Sequence, residues 1–371
     1  MDIEKGAIWL DFGTMERFMR DVFIGLGVPK KDAAVSAEVL ITADKLGFDS
    51  HGISRMKPIY YDRIKAGIQN PTTAVKVIRD RAGATVMDGG NGKGHVVARK
   101  AMEVAIKKAR KHGIAMTAVR NSTHFGIAGY YSLMAVKSGM IGITGTNARP
   151  SLAPTFGTEN MLGTNPLTFG IPTDEKFPFL LDCATSTIQR GKVEIYAKLG
   201  KKMPSGWVID RQGGSKTDPN KVLRDLIAGA ASLVPLGGIG EEMCGYKGYG
   251  YATAVEILSA ALQGGSYLKM LSGFSGGKKI PYPLGHFFIA INVSSFINPG
   301  TFRRISGSIL RELRASRKMP GAKRIFTAGE KEHLNWLARR KKGVPLNRET
   351  QREVIKMRDE LGLSGYRFPF K

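Results

Sequence analysis

The chain has 371 residues, 42% hydrophobic and 23% charged, a globular balance long enough for two or three domains with buried cores. Two cysteines, Cys183 and Cys244, exclude a disulfide framework and a cysteine-rich zinc site, and they fit a reducing compartment. The 56 Lys/Arg against 31 Asp/Glu give a net charge of +25, and residues 301–371 hold 19 of the cations against 7 acids. Such a balance suits nucleic acid, an anionic surface or small anionic ligands, with a solvated basic face as the plain alternative.

The opening residues 1–6 are charged and lack a secretory apolar core. No apolar run approaches the roughly 20 residues of a spanning helix, so no membrane insertion and a cytoplasmic location are expected. Residues 14–26 form an amphipathic helix by pattern, with Thr14 as N-cap and Met15, Phe18, Met19, Val22 and Phe23 on one face. Further helices are expected over 31–46 and 54–66. The period then shortens: 74–88 predicts strands. A strong helix follows over 95–112, then strands at 114–119 and 141–146 around a helix at 127–138. Another strand is expected at 179–182. Residues 204–237, rich in Pro and Gly, are expected to be loop. An apolar helix over 249–262 and a strand over 286–293 close an α/β centre. Basic helices are expected near 301–315, 330–342 and 347–361.

Gly89–Gly94 joins a strand to a helix but fails both nucleotide tests. Glycines at 90 and 92 fit G-x-G-x-x-G, but position 95 is His, and the next strand ends in Arg120, not an acid. Lys93 is followed by Gly, so the turn is no P-loop either, and a tight structural turn is the better reading. The segment Asp49-Ser50-His51-Gly52-Ile53-Ser54-Arg55 places His51 and Arg55 on one face if helical. A His can move a proton on an alcohol and an Arg fork can clamp a carboxylate; a capping turn with a solvated Arg is the alternative. Asn121–Tyr131 puts His124 at a strand end before a helix, where ligands of α/β proteins sit. A nearby helix N-terminus would favour its neutral form, suiting a general base. Polar loops at Thr146–Pro150 and Gly163–Pro166 offer amides and hydroxyls, and Asp182 ends a strand. Gly245–Gly250 with Lys247 reads as an anion site or a flexible loop. The six histidines show no metal-ligand spacing.

Taken in order, Asp49–Gly52 with Arg55, Asn121–Tyr131, Gly163–Pro166, Asp182–Ser186 with Gly191-Lys192, and Gly245–Gly250 resemble the type 2 malate/L-lactate dehydrogenase family over about residues 10–365. The resemblance implies an α/β fold with a central non-Rossmann NAD(P)-binding domain (81–300). An N-terminal helical segment (1–80) carrying the substrate His and Arg would flank it, as would a basic C-terminal helical segment (301–371). It implies NAD or NADP as cofactor, a homodimer, and hydride exchange with a small 2-hydroxy acid, malate first, with lactate or sulfolactate as others. By resemblance, His124 and His51 are catalytic, with the proton-transfer role open between them. Arg55, Ser50 and Tyr60 bind substrate, Tyr60 with one extra residue after Arg55. Asn147, Thr164, Asn165, Asp182, Cys183, Ala184, Lys247, Gly329, Glu330 and Lys331 line the cofactor. Phe156-Gly157 departs from the family's Gly-Gly, and Arg149 stands at a position that varies. The other class of function is a basic RNA- or anionic-surface-binding protein on an enzyme-like scaffold; no RNA-binding motif supports it, so nucleic acid is not the expected partner.

Overall fold

A computed structural model describes residues 6–370; the charged residues 1–5 lie outside the described residues. Strand β1 (Ile8–Leu10) precedes helix α1 (Phe12–Gly25). Asp11, not Thr14, caps α1: its Oδ2 accepts from the Thr14 amide at 2.8 Å, so Thr14 lies inside the first turn. Helix α2 (Lys30–Leu46) ends at Gly47, in the left-handed conformation that suits glycine. The expected third helix is a composite. A 3₁₀ turn (Ile53–Arg55) passes into a π-helical turn (Met56–Tyr61) and then the short α3 (Asp62–Lys65). A π turn holds more residues than an α turn, and this one carries Tyr60.

The centre contains β2 (Lys76–Asp80), β3 (Ala84–Asp88), α4 (Gly94–His112), β4 (Ile114–Ser122), α5 (Gly129–Lys137) and β5 (Met140–Thr146). Strands β6 (Leu167–Ile171) and β7 (Phe179–Cys183) follow. The segment expected as loop is partly ordered into elements: α6 (Arg190–Lys198) precedes it, and β8 (Val208–Asp210), α7 (Pro219–Ala228) and β9 (Ala231–Leu233) lie within it. Pro219 sits in the first turn of α7 behind the Asp218 cap, where a missing N–H does no harm. Helix α8 (Gly245–Ala260) starts earlier than expected, so Gly245–Gly250 is its first turn and not a flexible loop. The hairpin β10 (Phe274–Ser275) and β11 (Lys278–Lys279), then β12 (Leu284–Asn292), α9 (Pro299–Ala315), α10 (Glu330–Arg339), β13 (Val344–Leu346) and α11 (Arg348–Glu360) complete the chain.

Seven strands form one sheet in the order β2-β3-β4-β12-β5-β6-β7. Only β3 and β4 pair in parallel; the late strand β12 inserts antiparallel between β4 and β5. This mixed sheet is no doubly wound nucleotide fold, in line with the failed glycine test. The buried apolar stripe of α4 packs on the sheet with Val39 and Ala43 of α2. The two ends of the chain share a second core. β1 pairs antiparallel with β13, and Met15, Phe18, Tyr60, Leu346, Val354 and Met357 are buried together. Helix α9 instead joins the centre, through Ser306 to Pro172 O at 2.8 Å and Arg311 to Asp174.

Candidate active site

The site forms where the terminal core meets the ends of the central strands. Turns, not one helix, bring the first motif together. Arg55 Nε donates to Ser50 O at 2.5 Å, and Ser50 Oγ lies 2.8 Å from His51 Nδ1. Gly52 is required here because a Cβ would overlap the buried Asp44 carboxylate, whose Oδ2 accepts from the Ile53 amide at 3.0 Å. Burial, against that amide bond, pushes the Asp44 carboxyl well above the usual carboxylate range.

Strand β4 ends at Ser122 and the chain turns through Thr123-His124-Phe125. Phe125 is sandwiched between His286 at 4.4 Å and Tyr131 at 5.0 Å, ring centre to ring centre, and Tyr131 Oη donates to Phe125 O at 2.5 Å. This fixes the backbone beside His124. His51 and His124 stack with centroids 6.0 Å apart. Tyr60 Oη lies 2.6 Å from His124 Nδ1, and the Gly126 amide lies 3.3 Å from the same nitrogen, a bond made only when that nitrogen carries no proton. Both imidazoles keep a partly open face.

Burial first, then the Arg55 charge, lowers His51 to about 4. Burial, then His51, Arg63, His95 and Arg55, holds His124 well below the ordinary imidazole range. Both are therefore neutral at pH 7. The cause differs from the one read in the sequence, since α5 starts only at Gly129. Arg63 is a residue that sequence reasoning missed. Its guanidinium lies 4.7 Å over the Tyr282 ring beside a small pocket reaching His124, and among the described residues no carboxylate pairs with it. Burial, with Arg149 adding, lowers it to about 10, so it stays charged. Its place three residues after Tyr60 was the available signal.

A cleft of about 590 Å³ opens from Ser50, Ser54 and Arg55 toward Arg190, Gly191 and Glu194 on α6. Glu194 sits 3.9 Å from Arg55, a long, part-exposed ion pair that a carboxylate ligand can displace. At Gly191 a Cβ would stand 3.4 Å from both Arg55 and Ser50, so this glycine packs directly beside both side chains. Ile195 and Leu199 form an apolar wall, Asp49, Glu349 and Glu353 add carboxylates, and neither His51 nor His124 lines this cleft.

The expected cofactor residues fall into two connected groups. Thr164 O accepts from Thr185 N, Thr185 O from Leu236 N, and a Cβ on Gly248 would strike Leu236 O, so Thr164, Ala184 and the start of α8 with Lys247 adjoin. Leu180 N donates to Ala328 O at 3.4 Å, which sets Gly329, Glu330 and Lys331 against Asp182 and Cys183. Lys247 and Lys331 are exposed, their ammonium groups lying over the rings of Tyr246 and Phe326. Three of these residues are instead committed to the fold by their side chains. Asn147 links Ser266 O and Gly285 N; Asn165 links Ala148 N, Ala252 O and the Glu256 carboxylate; both are fully buried. Glu330, the first residue of α10, accepts from the Thr327 amide and pairs with Arg324, so it fastens the turn that precedes the helix. Asp182 accepts from the Gly129 amide at 2.7 Å and from Thr168 at 3.0 Å, which ties the start of α5 to β7. Among the described residues no cluster of metal ligands occurs, and no helix is long and apolar enough to cross a membrane.

Residues 10–355 match the family model described as malate/L-lactate dehydrogenase. The chain is 42% identical over 364 residues to a malate dehydrogenase of Pyrococcus horikoshii, covering 98% of each chain. It is 38% identical to an L-sulfolactate dehydrogenase of Methanocaldococcus jannaschii, covering 94% of this chain and 96% of the other. A crystal structure of malate dehydrogenase from Entamoeba histolytica superposes with a TM-score of 0.94 at 43% identity, covering 98% of this chain and all of that one. Likeness of this extent does not favour the RNA- or surface-binding alternative. With a mixed seven-stranded sheet, paired histidines beside an arginine, and these relatives, the chain belongs to the malate/L-lactate dehydrogenase family and is a nicotinamide-dependent 2-hydroxyacid dehydrogenase.

Proposed function

We propose that the substrate pair is malate and oxaloacetate, with His124 exchanging the hydroxyl proton and Arg55 holding the C1 carboxylate. The observation that carries this is the contact of Tyr60 Oη with His124 Nδ1 at 2.6 Å, which leaves the other imidazole nitrogen for substrate. A bound nicotinamide would supply the hydride chemistry at C2 of the hydroxy acid or keto acid. In oxidation, neutral His124 accepts the hydroxyl proton at Nε2 while Nδ1–H donates to Tyr60 Oη. In reduction, the same nitrogen returns the proton to the keto oxygen. His51, held by Ser50, orients the hydroxyl from the stacked side. A fixed guanidinium can grip a carboxylate with two parallel bonds, which suits Arg55. Arg63, charged and with no carboxylate partner among the described residues, supports a grip on the second carboxylate of a four-carbon diacid, which favours malate over lactate.

Lys247 at the start of α8, Lys331, and the backbone of 182–184 and 329 support the dinucleotide, as NAD or NADP. The terminal core with the 1–80 segment acts as the substrate unit and 81–300 as the cofactor unit, while the basic 301–371 segment divides between them. Exposed apolar side chains on α8 and α9, among them Tyr251, Ile257, Ile305, Ile309 and Leu313, support a homodimer, and the enzyme works in the cytoplasm. The test is a panel of oxaloacetate, pyruvate, sulfopyruvate and other keto acids against NADH and NADPH, read by nicotinamide absorbance. Oxaloacetate should give the highest kcat/KM. A higher value with pyruvate would overturn the malate assignment.

A further inference from the structure

Behind the Tyr60–His124 pair lies a buried cluster that the chemistry above leaves unused. Lys93, the residue before α4, is fully buried, as are Tyr60 and His95. Its ammonium lies 4.5 Å from the centre of the Phe23 ring and 5.0 Å from that of Tyr60. It donates to Gln69 Oε1 at 3.4 Å, and Gln69 Nε2 donates to Thr123 Oγ1 at 2.5 Å. Thr123 is also held by Gly92 O and the Gly94 amide, and His124 follows it. The Gly-rich turn thus reaches the imidazole by two routes, the face of Tyr60 and the Gln69–Thr123 tether. His95 packs 4.7 Å from Tyr60, and neither of its ring nitrogens has a hydrogen-bond partner among the described residues.

An ammonium buried without a carboxylate in contact costs stability. A residue that breaks a packing rule beside a reactive group points to function. We propose that Lys93 is a positioning residue of the active site, bracing Tyr60 and His124 from behind and supplying a positive field against which His124 works. The proposal rests on the proton role given to His124. Lys93 faces Tyr60 from the π turn, His95 on α4 and, at longer range, Asp32 on α2; His124 faces His51, Arg55, Arg63 and His95. Burial, opposed by Asp32, lowers Lys93 to about 7, so it is charged in the acid range where the imidazoles would protonate. The Lys93 charge acts on His95, which in turn faces His124, so the field reaches His124 through that neighbour and removing the charge makes imidazole protonation easier.

The test is Lys93→Met, similar in length and without charge. The melting temperature should hold or rise, kcat should fall ten-fold or more, and the acid limb of kcat/KM should move to higher pH. The His124 ring-proton NMR titration of the ligand-free chain should move the same way. Gln69→Met, which cuts the tether and leaves the charge, should lower kcat without moving the limb. A Lys93→Met protein that melts lower with an unmoved profile would make Lys93 structural and overturn the proposal, as would a wild-type rate and profile. The NMR titration needs no turnover, so inactivity of the wild type on every hydroxy acid would sink the dehydrogenase chemistry separately from this inference.

Discussion

Replacing Tyr60 with Phe removes one oxygen and leaves the ring. The ring packs on His95 at 4.7 Å and under Lys93 at 5.0 Å, so the buried apolar contacts survive. The change deletes the 2.6 Å partner of His124 Nδ1. The remaining Gly126 amide, at 3.3 Å, can only donate, so it favours the tautomer with its proton on Nε2, the wrong one for accepting a proton from an alcohol. A hydrogen bond to a charged group is worth about 1.5–3 kcal/mol, and His124 becomes charged during oxidation. The loss in kcat/KM for hydroxy-acid oxidation is therefore roughly 10- to 150-fold. Steady-state rates in both directions measure it, beside a melting curve. Reduction should suffer less, because it uses a proton on Nε2. Rates within two-fold of wild type in a folded Tyr60→Phe protein would refute the role given to the hydroxyl.

Three further outcomes follow from the same geometry. With His124 held below the ordinary imidazole range, kcat/KM for oxidation should stay level from pH 8 to below about 6, and an acid limb at or above 6.5 would contradict the burial argument. The same depression links to stability: below about 6.5 the unfolded imidazoles bind protons that folded His51 and His124 refuse, so stability should fall as pH drops through that value, which melting curves across pH will read. Arg63→Met should raise KM for malate at least ten-fold and leave lactate nearly unchanged; equal effects on both acids would remove Arg63 from the distal carboxylate. Gly52→Ala forces a methyl group onto the Asp44 carboxylate in a closed core, costing about 1–3 kcal/mol, so the melting temperature should drop by roughly 1–4 °C; an unchanged one would show that Asp44 can move aside.

Much of the site was legible because its parts are local. Ser50, His51 and Arg55 lie within six residues, and His124 follows a strand whose alternation shows in the sequence. The pairing of Tyr60 with His124 spans 64 positions and depends on a π turn, a backbone choice that no residue pattern announces. The union of the two chain ends rests on β1 and β13, three residues each and far apart in sequence, too short for a period-two signal. Proline and glycine in 204–237 suggested loop, yet Pro219 and Gly229 bound a helix, one just inside its start and one just past its end. Asn147, Asn165 and Glu330 looked like ligand-facing polar groups; only their burial and filled hydrogen bonds reveal scaffold. Arg63 was missed and Lys93 was read only as part of a structural turn, since an arginine within a short helix and a lysine in a glycine turn show what they face only once the packing is known.

His124→Ala probes the account most directly. Cofactor binding, followed by quenching of protein fluorescence with NADH and NADPH, should persist, and the melting temperature should hold. Turnover of malate should fall by about 10²–10⁴-fold, the contribution of a positioned general base. A variant that binds cofactor and still turns malate over near the wild-type kcat would contradict proton transfer by His124.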